Sequence, residues 1–147
     1  MDLNQMREKY IREGYEFLDA SAKVCQDILL AQIYKSSLSK NITIKGGVVM
    51  HNLSKDARRA TRDLDLDFIK YALTNEAIKS FVDKLNNPQS DIKIKIIAPI
   101  EELNHQDYDG KRVYIEIKDK KHNTIETKLD IGVHKNFDIE LDLLQFV

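Results

Sequence analysis

The sequence predicts an α+β fold in which helices pack on one mixed β-sheet of about five strands. Between Leu18 and Ile33, apolar residues recur at intervals of three and four, which is typical of an amphipathic helix. Residues 63–68 instead alternate strictly between acidic and apolar, which is typical of a strand with one buried face, here predicted over residues 63–69. In chain order the segments are α-α-β-α-β-α-β-β-β, an order that fits helices laid on a mixed sheet.

Apolar spacing of three and four residues predicts helices over residues 3–13, 16–37 and 74–86. A further helix over residues 48–55 is expected directly after the glycine pair that ends the first strand. Gly14 ends the first of these helices. Thr74 is expected to be the N-cap of the last one, and Pro88 closes it.

Alternating and β-rich runs predict strands over residues 41–45, 63–69, 91–98, 112–118 and 124–133. The polar residues 119–123 are expected to join the last two strands into a hairpin. The final segment, from Phe137 to Val147, ends on an apolar run. We therefore expect a single domain, residues 1–147, that is truncated before a further C-terminal region.

Composition excludes several classes of protein. The chain has 147 residues with 23 Lys and Arg against 24 Asp and Glu, so a net charge of -1 gives no overall attraction to nucleic acid. Cys25 is the only cysteine, which excludes a disulfide framework and is typical of a small buried apolar residue. The charged N-terminus, Met1 to Arg12, does not resemble a signal peptide, and no apolar run approaches the ~20 residues of a membrane span. We therefore predict a soluble, cytoplasmic protein with no membrane partner.

Asp63 and Asp65 are the strongest candidates for chemistry. Residues two apart on a strand face the same side, so both carboxylates share one face while Leu64 and Leu66 enter the core. Paired carboxylates repel each other unless a cation neutralises them. Their hard oxygens suit Mg²⁺, although a solvated strand face would explain the pattern equally well.

A third carboxylate favours the metal site. In the strand over residues 124–133 the apolar side chains take odd positions, so Asp130 points to the polar face. If this strand lies beside the one carrying Asp63 and Asp65, the three carboxylates form a triad that can hold two metal ions. Asp67 shares the face of Asp63 and Asp65, and we expect it to be a solvated flank or a supporting group.

The Gly46–Gly47 pair follows a predicted strand and precedes a predicted helix. Without side chains, the backbone N–H groups there can approach a phosphate closely, although two glycines are also common in plain turns. Arg59, together with Arg58 and Arg62, makes a basic patch beside the acids. That patch is either a solvated face or a contact with phosphate.

The segment Lys45-Gly46-Gly47, followed by Arg59-Ala60-Thr61-Arg62-Asp63-Leu64-Asp65-Leu66, resembles the minimal nucleotidyltransferases, in their AbiEii/AbiGii toxin-like branch. The resemblance covers roughly residues 16–133 and implies a nucleotidyltransferase (polymerase beta-like) fold. It implies that Gly46 and Gly47 contact the triphosphate, with Arg59 and Thr61 steadying the phosphates or the turn. It further implies that the metal and catalytic residues are Asp63, Asp65 and Asp130.

The resemblance also implies the activity: an Mg²⁺- or Mn²⁺-dependent enzyme that moves a nucleotide from a nucleoside triphosphate (ATP or another NTP) to an RNA or protein acceptor. Such an enzyme would be the toxin of an abortive-infection or toxin–antitoxin system, with a cognate antitoxin as partner. Two departures stand out. Val48-Val49-Met50 follows the glycines, where the branch commonly has Thr or Ala with a large apolar residue. The branch also usually continues into a C-terminal helical region whose Lys and Arg/Asp motif helps to bind the nucleotide, and we expect the chain to be truncated before that region. The alternative function is a nucleotide-binding or regulatory module of the same fold that is catalytically incomplete.

Overall fold

The computed structural model describes residues 2–44, 64–69, 72–105 and 108–133. Within these residues the chain forms three α-helices, a short 3₁₀ helix and one six-stranded sheet. The helices are α1 (Leu3–Arg12), α2 (Phe17–Lys35) and α3 (Asn75–Leu85), and the 3₁₀ helix covers Ser37–Asn41. The strands are β1 (Ile42–Ile44), β2 (Leu64–Phe68), β3 (Lys93–Ile96), β4 (Glu101–His105), β5 (Tyr108–Lys118) and β6 (Thr124–Val133). The predicted α+β fold with a mixed sheet is confirmed.

The sheet runs in the order β1-β2-β6-β5-β3, and β4 also pairs with β5. The pairing of β2 with β6 is parallel, and the other pairings are antiparallel. Strands β3 and β4 pair with successive stretches of one β5 edge, residues 115–118 and residues 108–112. The long strand β5 therefore joins the parallel centre of the sheet to two short strands.

One face of the sheet forms the core. Strands β2, β5 and β6 contribute alternate side chains that are at most 2% exposed: Leu64, Leu66, Phe68, Val113, Ile115, Ile117, Leu129 and Ile131. These residues form one cluster with apolar side chains of the three helices. Phe81 of α3, for instance, meets Phe68 edge to face, with ring centroids 5.5 Å apart. Because side chains alternate along a strand, the residues between the buried ones of β2, β5 and β6 lie on the opposite face of the sheet.

Polar contacts join helix α1 to α2, in addition to the apolar packing of Leu3 and Met6 on the core. The Tyr10 hydroxyl donates a hydrogen bond to the Asp27 carboxylate, and Arg7 Nη1 donates to Ser21 Oγ at 3.3 Å. The Arg7 guanidinium also lies over the Phe17 ring, 4.4 Å from its centroid, in a cation–π contact. Burial, together with the Asp27 carboxylate, raises the pKa of Tyr10 above its usual range.

Most predicted elements are confirmed, with ends that differ by a residue or two. The Thr74 cap is confirmed because Thr74 Oγ1 accepts a hydrogen bond from the Ala77 N–H at 3.0 Å. The hairpin is confirmed as well, with the Asp119 N–H donating to the Asn123 carbonyl at 3.0 Å. Cys25 is buried, as expected.

Other predictions were incomplete. Strand β5 starts earlier than residue 112, β3 is shorter than residues 91–98, and β4 was not predicted at all. The helix predicted over residues 48–55 lies outside the described residues. Among the described helices, none is both long enough and apolar enough to cross a membrane.

Candidate metal and nucleotide site

Asp65 and Asp130 are neighbours on the polar face of the sheet. Strands β2 and β6 run parallel, and their register places Asp65 directly beside Asp130. The same register pairs Leu64 with Leu129 and Leu66 with Ile131 on the core face. Burial of these apolar pairs therefore fixes both carboxylates on the opposite face, on strands about 4.8 Å apart.

The next strand adds an arginine to this row. Arg112 of β5 pairs with Asp130 across the antiparallel β5–β6 ladder. Its guanidinium holds the carboxylate with two hydrogen bonds, Nε to Oδ1 at 2.7 Å and Nη2 to Oδ2 at 3.0 Å. The hydrogen bonds to Asp130 raise the pKa of Arg112 above its usual range, so its charge is permanent.

Beyond Arg112 the row ends on another acid. Glu101 of β4 pairs with Arg112 in the register of the β4–β5 ladder. Its Oε2 accepts a hydrogen bond from the Tyr114 hydroxyl at 3.2 Å. The row therefore runs Asp65, Asp130, Arg112, Glu101, so that one arginine lies between a pair of aspartates on one side and a glutamate on the other.

Asp67 lies one position further along the same face. It pairs with Thr43 of β1 and with Gly132 of β6. Its side chain is buried, with a relative exposure of 9% for the residue. The prediction of a solvated flank was therefore wrong, because Asp67 lies between β1 and β6 and its neighbours in the sheet limit its contact with water. The other prediction for Asp67, a supporting group beside the acids, stays a prediction.

The donors in this row fit a hard divalent cation. Asp65 and Asp130 present carboxylate oxygens from adjacent strands, and Mg²⁺ commonly takes one or two carboxylates, with water and phosphate completing its shell. In residues 2–44, 64–69, 72–105 and 108–133, no group of three or more His, Cys, Asp or Glu side chains is placed to hold a metal. The described part of the site is thus a pair of carboxylates.

The other predicted site residues lie outside the described residues: Gly46, Gly47, Arg59, Thr61 and Asp63. Their roles as phosphate and metal contacts stay predictions. The same holds for the triad as a whole, of which the structure brings Asp65 and Asp130 together.

A cavity of about 310 Å³ lies close to the row. Tyr114 and Lys128, which pair in the β5–β6 ladder next to Arg112 and Asp130, are both part of its wall. The full lining is Leu18, Ser21, Ala22, Ile97, Tyr114, Glu126, Thr127 and Lys128. Asp65, Asp130 and Arg112 are not in this lining, so the cavity is adjacent to the carboxylate pair and does not contain it.

Sequence reasoning missed Arg112, although a signal for it was present. Residues 119–123 were expected to form a hairpin turn, and in a hairpin the residues equally far from the turn face each other. Arg112 and Asp130 are equally far from Lys118 and Thr124, which flank the turn. The predicted hairpin therefore already implied an arginine opposite the third aspartate.

Residues 27–143 match a family model described as "Nucleotidyl transferase AbiEii toxin, Type IV TA system". The matched range includes strands β2, β5 and β6, with Asp65, Arg112 and Asp130. No curated protein matches the chain.

Proposed function

Because the chain belongs to the AbiEii family of nucleotidyl transferase toxins, we propose that it transfers a nucleotide from a nucleoside triphosphate to an RNA or protein acceptor. The transfer would depend on Mg²⁺ or Mn²⁺ and would be restrained by a cognate antitoxin. The observation that supports this function is the in-register pairing of Asp65 with Asp130 on adjacent parallel strands. Core packing holds these carboxylates side by side, as a site for a cation–triphosphate complex requires.

In this proposal each described residue has a distinct task. Asp65 and Asp130 would hold the cation, which would neutralise the triphosphate and stabilise charge on the leaving pyrophosphate. Asp130 is also the candidate to accept the proton of the attacking hydroxyl. The predicted contacts of Gly46, Gly47, Arg59 and Thr61 with the phosphates complete the proposal, with Asp63 as the third metal ligand.

Two measurements test the proposal. In the first, the purified chain is incubated with each of the four α-labelled triphosphates, Mg²⁺ or Mn²⁺, and a pool of total RNA and lysate protein. We expect label on one class of acceptor, falling to background for Asp65→Asn and Asp130→Asn. Glu116→Gln is the matched control, because Glu116 lies on the same sheet face but pairs with Lys95 outside the row.

The second measurement is equilibrium binding of each triphosphate with and without Mg²⁺. Binding that requires metal, without any transfer, would favour the alternative of a catalytically incomplete nucleotide-binding module. An absence of both transfer and metal-dependent binding would refute the proposed function. Asp65→Asn or Asp130→Asn variants as active as wild type would refute the assignment of the site.

A further inference from the structure

The Arg112–Asp130 pair occupies the same oxygens that a metal would need. Both carboxylate oxygens of Asp130 accept hydrogen bonds from the guanidinium, at 2.7 and 3.0 Å. The two side chains are 27% and 16% exposed, so water weakens their attraction less than at an open surface. A cation that binds Asp130 must therefore share or displace a forked, charge-assisted contact.

The surroundings of Arg112 offer its guanidinium a second position. Glu101 lies opposite Arg112 on β4, on the side away from Asp130. The Tyr114 hydroxyl donates a hydrogen bond to Glu101 Oε2 at 3.2 Å, and Tyr114 lies on the same face of β5 as Arg112. A guanidinium that leaves Asp130 can thus approach the Glu101 carboxylate in the same row, and its positive charge still has an acidic partner there.

We propose that Arg112 is a built-in competitor for the metal site: it neutralises Asp130 while no metal is bound and yields that carboxylate when a divalent cation enters. The proposal rests on the proposed function, because it takes Asp65 and Asp130 as the metal ligands. In the metal-free state Arg112 offsets the repulsion between the two adjacent carboxylates. In the metal-bound state it turns toward Glu101. Arg112 therefore stabilises the metal-free site and makes its affinity for metal lower than it would be without the arginine.

Metal affinity gives the direct test, with Mn²⁺ as the probe in calorimetric titration of the full chain. Arg112→Gln should bind Mn²⁺ about tenfold more tightly than wild type, since releasing a partly buried ion pair is worth roughly one decade of affinity. The matched control is Lys95→Gln, which removes one positive charge from the same sheet face, where Lys95 is 67% exposed beside Glu116. We expect the control to change the affinity less than about twofold. Equal or weaker binding by Arg112→Gln would overturn the proposal.

A second measurement does not depend on the stability of a variant. In the wild-type chain the Arg112 Nε–H signal, assigned by its loss in Arg112→Lys, should shift on titration with Mg²⁺. The shift should saturate at the same concentration as metal binding. A signal that is unchanged at saturating Mg²⁺ would overturn the proposal.

Asp130→Asn separates this proposal from the proposed function. If wild type binds Mn²⁺ and Asp130→Asn does not, the assignment of the metal site holds. The Mn²⁺ affinity of Arg112→Gln then decides whether Arg112 competes with the metal for Asp130. If neither wild type nor Arg112→Gln binds Mn²⁺, the metal site itself is refuted, and the competition with it.

Discussion

Replacing Asp119 with alanine should destabilise the fold, because this carboxylate ties the N-terminal helix to the β5–β6 turn. Asp119 is 4% exposed. Its oxygens accept hydrogen bonds from the backbone N–H groups of Leu3, Lys121 and Asn123 and from Asn123 Nδ2, each at 2.9 Å. Leu3 is fully buried, so its N–H would lose a partner that water cannot readily replace.

A hydrogen bond to a charged acceptor contributes about 1.5–3 kcal/mol, and the bonds of one network are not additive. The turn donors lie near solvent, so we count the Leu3 bond in full and the others in part. We therefore expect Asp119→Ala to lower the free energy of unfolding by about 3 kcal/mol, or about 9 °C in Tm for a chain of this size. Asp119→Asn, which keeps one acceptor oxygen, should lose roughly half as much.

Urea unfolding followed by circular dichroism measures this loss. The control is Asp91→Ala, which breaks the exposed Asp91–Lys120 ion pair, with side chains 41% and 75% exposed. We expect that control to have nearly the same urea midpoint as wild type, because exposed ion pairs contribute little to stability. An Asp119→Ala variant as stable as the control would refute the role of the network.

The same carboxylate predicts a pH dependence with a definite sign. Burial alone would raise the pKa of Asp119, but the hydrogen bonds from Leu3, Asn123 and Lys121 together lower it below the ordinary 3.8. A depressed pKa in the folded state contributes stability above the unfolded pKa, and this contribution is lost as the pH falls through the folded pKa. The stability difference between wild type and Asp119→Asn should therefore be constant near neutral pH and shrink below about pH 4. A difference that grows in acid would contradict this account.

Two further predictions follow from local contacts. Burial raises the pKa of the Cys25 thiol to about 12. A thiol reagent at pH 8 should therefore modify Cys25 only after urea unfolds the chain. Rapid labelling of the folded protein would contradict the burial of this thiol. Thr74→Ala removes the hydrogen bond from the Ala77 N–H to the N-cap hydroxyl and should cost about 1 kcal/mol in urea unfolding. Thr74→Ser, which keeps the hydroxyl, should lose much less, and equal losses would exclude the cap as the cause.

Local periodicity was sufficient to predict which face of its strand Asp65 occupies, and likewise Asp130. Leu64 and Leu66 must be buried, so Asp65 between them must point away from the core, and the same argument applies to Asp130. Turn chemistry was similarly sufficient for the β5–β6 hairpin, because its strands are adjacent in the chain. These features depend on residues close in sequence, where the pattern carries the information.

Contacts between distant segments were beyond the reach of such patterns. Nothing local indicates that β2 pairs in parallel with β6, since that register depends on how the whole core packs. Strand β4, Glu101–His105, begins with two acids and lacks a β-branched residue. It forms a strand because its backbone pairs with the edge of β5. This tertiary pairing overrides the weak β-propensity of its residues. The burial of Asp67 escaped prediction for the same reason, because it depends on a neighbouring strand.

The placement of Asp65 beside Asp130 follows from the same packing that stabilises the sheet. A shift of β6 by one residue against β2 would turn Leu129 and Ile131 to the polar face and Asp130 into the core. Burial of apolar side chains therefore opposes any slip that would separate the two carboxylates. The register of Arg112 is fixed in turn by Val113 and Ile115, which are fully buried on the core face of β5. Three paired strands, β2, β6 and β5, thus position the row from Asp65 to Arg112. The proposed competition between Arg112 and a metal requires such a fixed spacing of charges.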